Sequence, residues 1–215
     1  MKVDRLLTVP VAIDIKAAFV RAWELYKMHP FFFSMYMLLI LSIQGMVVIY
    51  AQAYMIVYST LLAPPFYAGF YLVANKMSRG EEVVYPDFFA GFRFWIPSVI
   101  ISLLSQVIIA LGLIALILPG IYLGVGYLFA IQMGIFGGMD PWSAMEWSRK
   151  LITRNWWQFL VLVLILIVLN AAGILLAGIG LVLTLPLTFL VLYVLFEDLT
   201  REVFSEEEEL PTTHA

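Results

Sequence analysis

FWIPSVIISLLSQVIIALGLIALILPGIYLGVGYLFAIQMGIFGGM, residues 94–139, decides the fold. It holds 46 residues without a single Asp, Glu, Lys or Arg. A helix rises about 1.5 Å per residue, so roughly 20 residues cross a bilayer core of about 30 Å. The stretch is two spans with little left over, and Leu118-Pro119-Gly120 supplies the break between them. Two further stretches read the same way. Lys27 and Lys76 bracket 48 uncharged residues, broken at Ala63-Pro64-Pro65. Arg154 and Glu197 bracket 42, broken at Gly178-Ile179-Gly180 with Pro186 beyond. Lipid-exposed irregular backbone is not tolerated, so each stretch is expected to fold as a helical hairpin. The spacing predicts spans at 31–52, 58–76, 97–117, 120–138, 156–176 and 180–197.

Composition agrees. Of the 215 residues, 63% are hydrophobic and 13% charged, against about 45–50% and 25% in soluble domains. A soluble fold of this size lacks the interior for so much apolar surface. The expected class is an all-α polytopic membrane bundle, one integral domain over residues 1–200. Residues 201–215, with four consecutive Glu at 206–209, are expected to form an acidic, disordered tail. A net charge of -3 gives no footing for nucleic acid, and the absence of cysteine excludes disulfides and thiol chemistry.

Hairpins return the chain to the side it left. All 27 charged residues therefore fall on one face, within 1–27, 76–93, 140–154 and 197–209. All 12 Lys and Arg are among them, and the positive-inside rule assigns that face to the cytoplasm of a cell membrane, with both termini inside.

The segments ahead of the hairpins are alike. Residues 11–29 place Asp14, Arg21, Glu24 and Lys27 on one side at helical spacing. Residues 141–155 place Glu146, Arg149, Lys150 and Arg154 on one face, and DFFAGFRFW at 87–95 is a shorter version. Asp140-Pro141 and the Ser143/Glu146 capping-box pattern each offer a helix start. Each segment runs into aromatic residues at a span's beginning, and each reads as an amphipathic helix in the cytoplasmic interface. A unit of amphipathic helix, span, turn and span, three times over, suggests a threefold repeat.

The turn Leu118-Pro119-Gly120-Ile121-Tyr122, the segment Glu146-x-x-Ser148-Arg149-Lys150 and Gly91-Phe92-Arg93 carry a resemblance. Over most of residues 10–200 the chain resembles the YciC-like family of six-span prokaryotic membrane proteins of unknown function. Similar domains occur fused to glycerophosphodiester phosphodiesterases. The resemblance implies fold and location only, because no phosphodiesterase domain is attached here.

Chemistry is sparse. The only histidines, His29 and His214, are far apart and have no cysteine to complete a metal site. Serines in the spans lack a base in the same layer, and the glycines near 134–138 lack the Lys-Ser/Thr of a phosphate loop. Neither catalysis nor a cofactor is expected. The spans hold neutral polar groups, and Gln106, Gln132 and Asn170 either bridge helices or line a polar cavity. Gly120, Gly124, Gly126, Ala130 and Gly134 form small-residue strips that place the fourth span centrally or on a homodimer seam. Arg149, Lys150 and Arg154 are candidates for anionic-lipid contact. Two readings stand side by side. One is a non-enzymatic scaffold binding lipids, a protein partner or a second copy. The other is a transporter or channel-like protein for a lipid or small neutral solute.

Overall fold

The computed structural model describes residues 13–176 and 178–208, with side chains as far as Arg201. Among these residues the protein is helical throughout, and six stretches are long and apolar enough to cross a membrane. The elements are α1 (Ile15–Met28), α2 (Pro30–Tyr50), α3 (Ala63–Ser78), a 3-10 segment (Tyr85–Phe94), α4 (Trp95–Ala115), α5 (Ile117–Gly126), α6 (Ala130–Phe136), α7 (Pro141–Thr153), α8 (Trp156–Leu175) and α9 (Leu181–Glu208). The first-turn donors of α1 and α7 are met by carboxylates. Asp14 accepts from the Ala17 amide at 2.9 Å, and Asp140 accepts from the Ser143 amide at 3.1 Å. Of the two starts open to α7, the chain uses Asp140, whose extended backbone suits an N-cap.

Packing follows a threefold pattern. The second span of each hairpin is central: 44% to 56% of its apolar window is buried, against 11% to 22% for the first spans. The central spans meet through aromatic rings. Phe189 of α9 takes Tyr67 and Phe70 of α3 at 4.9 Å each, and Phe136 of α6 meets Tyr193 and Phe196 of α9 at 6.1 and 5.7 Å. Each segment at the charged face docks on the second span of the preceding hairpin. The 3-10 segment lies on α3, α7 on α5 and α6, and α1 closes the ring on α9. Small residues allow the approach: Ala18 and Ala22 in α1, Gly91 in the 3-10 segment, Ala144 and Ser148 in α7, all buried. The fourth span, expected at the centre of the bundle, is there, and it shares the centre with the second and sixth.

Two breaks differ from the sequence reading. The first hairpin turns at Ala51–Tyr54, not at Ala63-Pro64-Pro65, and the second span begins at Gln52. The prolines sit inside that span. Pro65 has no N–H for the Leu61 carbonyl, the chain widens into a π turn over Tyr58–Leu62, and the Trp95 indole donates to the Leu61 oxygen at 2.6 Å. The fourth span, expected as one helix over 120–138, is two. It breaks at 127–129, where the Ser148 hydroxyl accepts from the Phe129 amide at 3.1 Å and donates to the Gly126 carbonyl at 2.7 Å. Irregular backbone inside an apolar bundle survives only where protein groups satisfy it.

The segment at 87–95 also differs. It is a 3-10 helix running antiparallel to α3. A Cβ on Gly69 would fall on the Phe88 carbonyl, one on Gly91 would fall on the Pro65 carbonyl, and Trp95 follows at Leu61. Phe88, Phe33, Tyr36 and Phe70 lock this crossing, with ring centroids 4.8 to 6.2 Å apart. Finally, α9 continues to Glu208, so the first part of the expected disordered tail is helical; Arg and Glu, which supply five of residues 201–208, are good helix formers. Residues 209–215 lie outside the described residues.

Candidate functional site

The three central spans converge at the charged end of the bundle, and α1 crosses over them. Between them lies a cleft of about 720 Å³. Each central span contributes to it: Asn75 from α3, Phe136 from α6, and Tyr193 and Glu197 from α9. The sequence reading did not assemble this site. Nothing in the chain order joins Asn75 and Tyr193, which stand 118 residues apart.

A polar web forms the cleft's inner wall. The Tyr193 hydroxyl lies 3.2 Å from both Asn75 Oδ1 and Glu197 Oε1. Arg21 donates to Glu197 at 2.7 Å and to Asp198, tying α1 to α9, and the Ser78 hydroxyl reaches Glu197 at 3.5 Å. Burial works against the Arg21 cation, but the Asp198 and Glu197 carboxylates outweigh it and raise its pKa above the ordinary arginine value. Buried Phe196 and partly buried Phe136 give the same cleft an apolar side, while Arg79 and Arg201 stand exposed at its rim. The site therefore offers guanidinium groups beside aromatic surface at the end of the apolar spans. Of its donors, Arg21 is fixed by contacts between α1 and α9, so it is arranged before any ligand arrives.

A second, smaller groove of about 280 Å³ lies on the other side of Asn75 and Arg79, between α3 and the 3-10 segment. Lys76 and Asp87 pair across it at 2.8 Å.

The residues singled out from sequence fall elsewhere. Arg149, Lys150 and Arg154 do gather at α7, but Arg149 is committed within the protein. It forms a two-pronged bond to Glu146 at 2.7 and 2.9 Å and donates to the Tyr122 hydroxyl at 3.1 Å. The Glu146 bond raises the Arg149 pKa, and Arg149 in turn lowers that of Glu146. Lys150 sits 3.5 Å from Glu146 and 4.9 Å from the Trp147 ring centre, and Arg154 is exposed just past the helix.

The polar path through Gln106, Gln132 and Asn170 is not formed, and none of the three borders either cleft. Gln106 is exposed on the outer surface of α4. Gln132 is wholly buried on α6, and neither end of its amide meets a partner among the described residues. Asn170 donates to the Leu166 carbonyl of its own helix at 2.8 Å and to the Thr188 hydroxyl of α9 at 2.9 Å, so it bridges the two helices of the third hairpin.

The small-residue strip is divided by the break at 127–129. Gly120 packs on Leu113, Gly126 on the Arg149 stem and Gly134 on Ile101, while Ala130 is buried. Gly124 meets nothing within 4 Å and is no packing residue, which corrects its place in the strip. At the hairpin turns glycines pack on each other, Gly112 on Gly120 and Gly173 on Gly180. No family model, curated protein or solved structure matches this chain.

Proposed function

We propose that this integral membrane protein is a non-enzymatic lipid-binding component whose axial cleft receives an amphiphile with an anionic head. The observation that carries the reading is the cleft itself. It opens at the charged end of three central spans, sets Arg21, Arg79 and Arg201 against the rings of Phe136 and Phe196, and has a volume of about 720 Å³, within the range of small-molecule sites. The carboxylates of the lining are already engaged, Glu197 by Arg21 and Tyr193 and Glu24 by Lys27, so the exposed Arg201 sets the preference of the opening. The transporter alternative rested on a polar path through the spans, and of the residues named for it Gln106 is exposed on α4, Gln132 is buried on α6 and Asn170 bonds to Thr188 of α9.

The test is native mass spectrometry of the protein purified in mild detergent. The parent should carry an anionic lipid, and Arg201→Gln and Leu25→Trp, which alter the rim and narrow the mouth, should each lose it. Equal retention by both variants would refute the reading. Orientation belongs to the same proposal: the charged face is cytoplasmic in a cell membrane. Cysteines placed at exposed Glu81 and Trp142 should react only with reagents admitted to the cytoplasm.

A further inference from the structure

A 3-10 helix of ten residues is long, since such runs seldom exceed about 3–4. Tyr85–Phe94 is one. At three residues per turn, side chains three apart eclipse, so the segment has three separate faces. Phe88 and Gly91 are buried against α3. Phe89 and Phe92, continued by Trp95 at the start of α4, are exposed rings. Asp87, Ala90 and Arg93 form the third face, and they line the smaller groove with Lys76, Arg79 and, at the charged end, the exposed Glu81. In an α-helix, Arg93 would be turned about 120° away from Asp87. The unusual helix type is what stacks the two charges on one side.

The charge in this groove is unevenly spent. Asp87 accepts from Lys76 at 2.8 Å and from the Val84 amide at 2.8 Å. Arg93 is exposed and has no ion-pair partner among the described residues. Its backbone is also far from the charged end. Gly91 packs at Pro65, eleven residues before Lys76, which is about 16 Å along α3. The Arg93 side chain reaches back along Ala90 into the groove, as long cations at a membrane boundary do. Ala90, small and central, leaves the floor open.

We propose that this groove holds the phosphate of an anionic phospholipid from the surrounding bilayer, with Arg93 as its principal contact. The exposed rings of Phe89, Phe92 and Trp95 lie on the adjacent face, where an acyl chain would run. A guanidinium that starts below the charged end and sits beside such rings is placed for a lipid arriving sideways. A guanidinium also matches phosphate geometry with two parallel donors. The site is distinct from the axial cleft, with which it shares only Asn75 and Arg79, and it does not depend on that reading.

The experiment reconstitutes the protein in nanodiscs of phosphatidylcholine with a minor fraction of phosphatidylglycerol and counts the lipids retained by native mass spectrometry. The parent should retain phosphatidylglycerol above its share of the bilayer. Arg93→Gln should retain one such lipid fewer than the parent, and so should Ala90→Phe, which fills the groove and keeps every charge. Arg93→Lys, retaining a cation, should recover part of that loss, and Arg201→Gln should lose only the lipid of the axial cleft and keep the one in this groove. Thermal unfolding confirms that each variant is folded. Parent-like enrichment in both Arg93→Gln and Ala90→Phe would overturn the proposal. So would displacement of the retained lipid by inorganic phosphate, which would make this a site for a free anion. Loss in Arg201→Gln alone would also overturn it, and would assign the enrichment to the axial cleft.

Discussion

The hydroxyl of Ser148 donates to the carbonyl of Gly126 at 2.7 Å while accepting from the amide of Phe129 at 3.1 Å. One side chain of a helix at the charged face thus closes the break in the fourth span. Ser148 is wholly buried, and its loss leaves two backbone groups without partners. A buried orphan costs about 1–3 kcal/mol. Ser148→Ala should lower the unfolding free energy by at least that much and reduce the melting temperature in detergent. A melt unchanged from the parent would mean that water or a lipid headgroup replaces the hydroxyl.

The crossing of α3 and the 3-10 segment makes a sharper comparison. A methyl group at Gly69 or Gly91 would collide with a backbone carbonyl, Phe88 or Pro65, which cannot move aside as a flexible side chain can. Gly124 has open space. Overpacking costs about 1–3 kcal/mol. Gly91→Ala and Gly69→Ala should both destabilise the protein or prevent its accumulation, whereas Gly124→Ala should melt at or slightly above the parent, since Ala favours a helix by about 0.5–1 kcal/mol.

Trp95 and Leu61 give a third test. The indole donates at 2.6 Å to a carbonyl that Pro65 cannot satisfy. Trp95→Phe keeps a ring and removes the donor. A loss of about 1–3 kcal/mol is expected, and exchange of the amides in the π turn should quicken, as read by hydrogen–deuterium exchange. Restoration of slow exchange in a Pro65→Ala, Trp95→Phe double variant would identify the proline as the reason for the indole.

The pair at α7 predicts a pH effect. Glu146 has its pKa held below the ordinary carboxylate value, chiefly by the hydrogen bond from Arg149. A depressed folded pKa favours the folded state above the unfolded value of 4.5, and that contribution disappears as the pH falls through the folded value. The pair is part-exposed, so the effect is small. The difference in melting temperature between parent and Glu146→Gln should be present at neutral pH and shrink toward zero in acid. A difference that persisted below the folded pKa would point to packing of the side chain instead of its charge.

The spans and the threefold unit were legible because each follows from a length or a position, whereas Arg93, expected at the charged face, has its backbone far from it on the antiparallel 3-10 segment. An apolar stretch bracketed by Arg93 and Asp140 must cross twice, and Asp140 before Pro141 marks a helix start by residue type alone. Breaks were harder to place. Pro64-Pro65 reads as a turn, yet the irregular backbone there is met by an indole from another hairpin, and no local signal reports such a donor. The same holds for Tyr127–Phe129 and Ser148.

What the sequence by itself determined is where the chain meets the bilayer, since hydrocarbon thickness and the cost of charge in it act on each segment alone. Which spans face protein and which face lipid was decided by the tertiary structure. Lipid tails are as apolar as leucine, so a hydrophobic stretch serves either side. Only a trace of the difference is in the composition: the three central spans have mean hydropathy 1.4, 1.5 and 1.9, the outer three 2.1, 2.4 and 2.7. The site depends on that choice. Asn75, Phe136 and Tyr193 meet because three second spans pack around one axis, and Arg93 joins Lys76 because a 3-10 helix turns three residues at a time.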